Sequence, residues 1–142
     1  MRPTSGSLRC WFTMLGGLMI VFQQTADCET RISSKVDETA ALRLAAEGYF
    51  GTDKKLGFLD YDSQSDSFFI FDGLSKPPAE GSFGFFAVNS WTGDVWNLWG
   101  CHRLFTPALR KSQAAIRRRF TAQEMKRYDR LRQLKPECIV ED

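Results

Sequence analysis

Cys101 is followed directly by His102, the only histidine in the chain. A thiolate activated by an imidazole is a nucleophile for acyl transfer, so this couple is the first place to look for catalysis. Adjacent residues of a strand point to opposite faces, which makes a direct Cys–His hydrogen bond awkward. A disulfide at Cys101 would remove the nucleophile altogether. One histidine and scattered cysteines also lack the ligand spacing of a zinc site. Asp60, Asp62, Asp66 and Asp72 crowd the first hairpin. Turn formation accounts for most of them, and no ordered loop signature of a Ca²⁺ site accompanies them. GSFGF, with Gly81 and Gly84, precedes no helix and does not read as a phosphate loop. The expectation is a protein with no enzymatic activity, metal or cofactor.

The elements that must position these residues begin after a leader. Arg2 and Arg9 give a positive start, and the apolar run WFTMLGGLMIVF follows. That run is shorter than the ~20 residues of a membrane span but has the length of a signal-peptide core. Residues 1–26 are therefore expected to be a signal peptide, with Ala26 a suitable small residue before the cut and Gln24 a poor one. The rival reading is a buried N-terminal helix of a cytosolic protein. Removing the leader takes Cys10 with it and leaves Cys28, Cys101 and Cys138. An oxidising compartment then favours one disulfide, expected to be Cys101–Cys138. Cys28 keeps three fates open: lipidated, free, or competing for one partner. Asp27 stands where a lipoprotein signal carries Gly or Ala. The expected location is periplasmic or secreted, with a membrane-anchored lipoprotein as the variant at Cys28.

Residues 27–35 read as a polar tether and 36–142 as a single α+β domain. Val36, Ala40, Ala41, Leu44 and Ala45 recur at helical spacing, with Asp37 and Glu38 in the first turn and Gly48 or Gly51 to end the helix. A sheet of three or four antiparallel strands is expected over residues 56–100: LGFLDYD, SFFIFDG, SFGFFAVN and DVWNLWG. Pro77 and Pro78 exclude a ladder between the second and third of these. A basic helical segment, 106–135, follows. Thr106-Pro107 starts its first helix, Thr121 and Glu124 form a capping box for the second, and Pro136 stops it.

Alternation along DVWNLWG puts Val95, Asn97 and Trp99 on one side and Trp96 on the other. Both sides are thus apolar. Trp96 and Trp99 read as core anchors and Trp91 as a turn cap; the functional reading makes the three an exposed aromatic groove. At VNSWTGDVW the chain resembles the hairpin of PepSY-type domains, in which a turn of the form D-x-x-T-G-x-V joins the last two strands. Val88, Thr92, Gly93 and Val95 match, and Asn89 replaces the Asp. The resemblance covers at most residues 36–100. It implies an exported or membrane-associated protein, some such domains being inhibitors or modulators of peptidases, and it brings no catalytic residue.

Residues 27–100 hold 6 basic and 12 acidic side chains, and residues 101–142 hold 11 and 5. Mutual attraction of the two halves is the plain explanation. The sharper one makes Arg117, Arg118 and Arg119, with Arg110, Lys111, Lys126, Arg127 and Arg130, a surface for anionic lipid or an acidic protein. Nucleic acid is not expected, since an exported protein rarely meets it. The leading expectation is a small exported domain that binds an envelope or secreted protein as an inhibitor or modulator. The alternative is a peripheral protein docked on anionic lipid through its basic helices.

Overall fold

Asp37 opens the first helix by accepting a hydrogen bond from Ala40 N at 2.8 Å, which satisfies one of the donors that a helix start leaves unpaired. Helix α1 runs Glu38–Tyr49 and buries Ala41, Leu44, Ala45 and Gly48. Gly48 does not terminate it. A Cβ there would lie 3.3 Å from Val95 Cγ1, so the missing side chain lets α1 settle closely onto the sheet. The computed structural model describes residues 32–50 and 57–139. The expected leader 1–26, Cys28, Gly51 and the first part of the tether lie outside the described residues.

Five antiparallel strands follow in simple sequence order: β1 Gly57–Gln64, β2 Phe68–Ser75, β3 Ser82–Asn89, β4 Val95–Asn97 and β5 His102–Arg103. The first three strands lie within a residue or two of where period-two alternation put them. The fourth is shorter than expected and the two-residue fifth is new. Beyond Asn97 the chain turns: Asn97 Oδ1 accepts from Gly100 N at 2.9 Å, and Cys101 takes a positive φ of 47°. Trp99 therefore sits in a turn rather than in a strand. The turn between β3 and β4 requires Gly93 on two counts. Its φ is +70°, and a Cβ would stand 2.6 Å from Ile116 Cδ1.

Helix α2, Pro107–Arg117, starts with Thr106 Oγ1 accepting from Leu109 N. The same hydroxyl donates to Glu47 O at 2.9 Å, fixing α2 to the end of α1. Helix α3, Ala122–Gln133, carries the expected capping box: Glu124 N donates to Thr121 Oγ1 and Thr121 N donates to Glu124 Oε2. The order of one helix, a sheet and two helices makes this an α+β fold, as the patterning predicts.

Strand alternation splits the core in two. On the first face of the sheet Phe69, Phe71, Phe86, Val88 and Val95 pack against α1 and against Leu109, Ile116, Phe120 and Tyr128. Each fully buried Phe, Leu or Val here contributes roughly 1.5–3 kcal/mol. On the second face Phe68, Ala87, Trp96 and Leu98 form a smaller cluster, joined by Ile70, Phe85 and Leu134. Among the described residues the helices thus cover the first face, and the second has a thinner lid.

Candidate functional site: the second face of the sheet

The β3–β4 turn is a structural joint. Asn89 is fully buried; its Oδ1 accepts from Trp91 N and Thr92 N, and its Nδ2 donates to Leu131 O. Asp94 accepts from Thr92 Oγ1 at 2.8 Å and faces Arg132 Nε at 3.4 Å and Arg103 Nη1 at 3.7 Å. Its side chain is 3% exposed, so two guanidinium groups compensate a nearly buried carboxylate. Burial, with the Asp94 charge adding to it, pushes the neighbouring Tyr128 hydroxyl above its ordinary pKa. Trp91 belongs to this joint, its Nε1 donating to Ile32 O at 3.1 Å.

Trp96 is not part of an open groove. It is 7% exposed, lies opposite Ala87 in the ladder, and has the Arg103 guanidinium 5.0 Å above its ring. Trp99 is the reverse case. Expected as a core anchor, it is 46% exposed, because the chain leaves the sheet after Asn97 and strand alternation no longer holds it inward.

The second face has two halves. Over Phe68, Ile70 and Leu98 lies the segment that follows α3. Ile139 N donates to Leu98 O at 3.2 Å, and the Cys101–Cys138 disulfide anchors the segment beside it. A groove of about 630 Å³ remains between that segment and the β1–β2 turn, lined by Ser65, Phe68, Ile70, Leu98, Pro136 and Ile139 among others. The other half carries Phe58 on β1, Leu74 opposite it on β2, Phe85 on β3, and Trp99 meeting Phe85 edge-on at 6.5 Å. Phe58 is 47% exposed.

Asp60 and Asp72 also belong to this half. They lie within β1 and β2, directly opposite each other, and not in the turn that the sequence offered as their explanation. Asp72 Oδ1 accepts from Ser82 Oγ at 2.5 Å, and Asp60 Oδ1 from Tyr61 N at 3.0 Å. Among the described residues no three His, Cys, Asp or Glu side chains converge as a metal would need. Phe58 and Phe85 were not singled out by sequence. Alternation counted from the SQSD turn puts Phe58 on the wrong face, because the register of β1 shifts between Tyr61 and Ser63.

Cys101 and His102 make no catalytic couple, since the Cys101 sulfur is bonded to Cys138. The arginines at the end of α2 sit apart from the sheet's second face. Arg117 places its guanidinium 5.3 Å from the centre of the Tyr128 ring, and Arg118 and Arg119 are exposed in the segment leading to α3. Among the described residues no helix is long and apolar enough to cross a membrane.

No protein-family model and no curated protein matches the chain. Among solved structures it is similar to a chain in the structure of a type VI secretion system effector–immunity complex from Pseudomonas protegens. The identity is 26%, the match covers 66% of this chain and 84% of that one, and the TM-score is 0.46.

Proposed function

We propose that this protein is an exported, non-enzymatic domain that binds another envelope or secreted protein through the second face of its sheet, as an inhibitor or modulator of that partner. The observation that carries the reading is the pair of half-exposed rings, Phe58 and Trp99, on the half of the face left uncovered by the described residues. Exposed aromatic side chains on a sheet face suit a protein partner, since aromatic side chains are enriched at protein interfaces. The Cys101–Cys138 disulfide supports an oxidising compartment. It also leaves no thiolate beside His102.

Capture experiments with envelope extract of the native host test the reading. A partner retained by the wild type is expected to be lost with Phe58→Ser plus Trp99→Ser and kept with Arg118→Glu plus Arg119→Glu. The reverse pattern would overturn the proposal and move the working surface to the basic helices.

A further inference from the structure

The direct opposition of Asp60 and Asp72 in the β1–β2 ladder puts two carboxylates side by side on the second face. Like charges in that relation destabilise a sheet. Neither carboxylate makes an ion pair among the described residues; their hydrogen bonds come from Ser82 and the Tyr61 amide. Across the sheet, Phe85 stands opposite Asp72, and Trp99 packs on Phe85. One row of the half that the described residues leave uncovered thus reads carboxylate, carboxylate, phenyl, indole.

Paired carboxylates accept the forked N–H groups of a guanidinium, and aromatic rings beside them attract the same cation. The surrounding chain has the matching sign. Strands β1 to β3 and their turns, residues 57–89, carry Asp60, Asp62, Asp66, Asp72 and Glu80 against one basic side chain, Lys76, a local excess that favours a cationic partner. Resting on the reading of this face as a protein-binding surface, we propose that the partner is a basic protein that seats an arginine on Asp60 and Asp72, against the Phe85 and Trp99 rings. The like-charge pair is then a local instability that is relieved when the partner docks.

The test uses the ¹⁵N-labelled protein with its disulfide formed, titrated with the peptide acetyl-Gly-Arg-Gly-Arg-Gly-amide. Amide shifts at Asp60, Asp72 and Phe85 and at the Trp99 indole N–H are expected, weakening steeply with added salt. Asp60→Asn with Asp72→Asn is expected to weaken binding at least tenfold while raising Tm by roughly 1–4 °C, since the repulsion is gone. Shifts centred on Asp62, Asp66 or Glu137 instead, or equal binding by the Asn variant, overturn the proposal. Self-association that the Asn variant abolishes also overturns it, giving the face to the basic half of a second copy. If the Asn variant still captures the native partner while Phe58→Ser plus Trp99→Ser does not, the arginine seat falls and the protein-binding face stands. If neither variant affects capture, both fall.

Discussion

Asn89 Nδ2 donates to the Leu131 carbonyl at 3.0 Å, joining the β3–β4 turn to the third helix across 42 residues of sequence. The same side chain accepts two backbone N–H groups through Oδ1, so its amide is used at both ends. An aspartate keeps the acceptor role and loses the donor. Asn89→Asp would leave the Leu131 carbonyl facing a carboxylate in a fully buried site, close to Asp94. A loss of about 2–3 kcal/mol is expected, the scale of an unsatisfied buried polar group or more. Urea unfolding measures it, and a change under about 0.5 kcal/mol would contradict the joint.

The Cys101–Cys138 bridge closes a sequence separation of 37 residues that contains both α2 and α3. Chain-entropy reasoning gives such a loop about 4 kcal/mol of stabilisation. Cys138→Ser is expected to lower stability by that order and to free the segment that covers Phe68 and Leu98, so binding of a hydrophobic dye should rise. The wild type in reductant should show both changes. Unchanged stability on reduction would mean that the segment is held by packing and the Ile139–Leu98 backbone bond alone.

The helices were legible because their signals are local. Thr106-Pro107, the Thr121–Glu124 box and the spacing of Ala41, Leu44 and Ala45 each act within a few residues. Strands β1 to β3 were legible from alternation, and the disulfide from cysteine arithmetic. What stayed hidden depends on partners distant in sequence. Gly48 looks like a helix terminator until Val95 is seen against it. Asp60 and Asp72 look like turn formers until the register sets them opposite each other. Trp96 and Trp99 differ because the turn after Asn97 breaks the period, and a three-residue strand carries too little pattern to announce its own end.

Acid should weaken the contact between the N-terminal segment and α3. Lys35 Nζ donates to Glu124 Oε1 at 2.7 Å and Thr121 N to Oε2 at 2.8 Å, and these bonds hold the Glu124 carboxyl below its usual pKa of about 4.5. A carboxylate whose pKa is lowered by folding stabilises the fold fully above that unfolded value. The contribution is lost as pH falls through the lower folded value. The stability difference between wild type and Glu124→Gln is therefore expected to stay constant from about pH 7 to pH 5.5 and to shrink below about pH 4.5. Urea midpoints across that range decide it. A difference that instead grows on acidification would reverse the assignment.

The two tryptophans of β4 and its following turn should separate stability from recognition. Trp96 lies in the second-face cluster with Phe68, Ala87 and Leu98, and removing its ring leaves a cavity that the short β4 cannot close. Trp96→Ala is expected to cost about 3–5 kcal/mol. Trp99 keeps nearly half its surface in water and meets Phe85 only edge-on. Trp99→Ala should cost less than about 1 kcal/mol, as surface substitutions do. Acrylamide quenching gives an independent check: Trp99→Ala should remove an accessible fluorophore and lower the accessible fraction, and a milder Trp96→Phe should remove a shielded one and raise it. With folding preserved, loss of partner binding in Trp99→Ala reports on the sheet face itself. Equal destabilisation by both alanine variants would mean that Trp99 belongs to the core and that the proposed surface is closed.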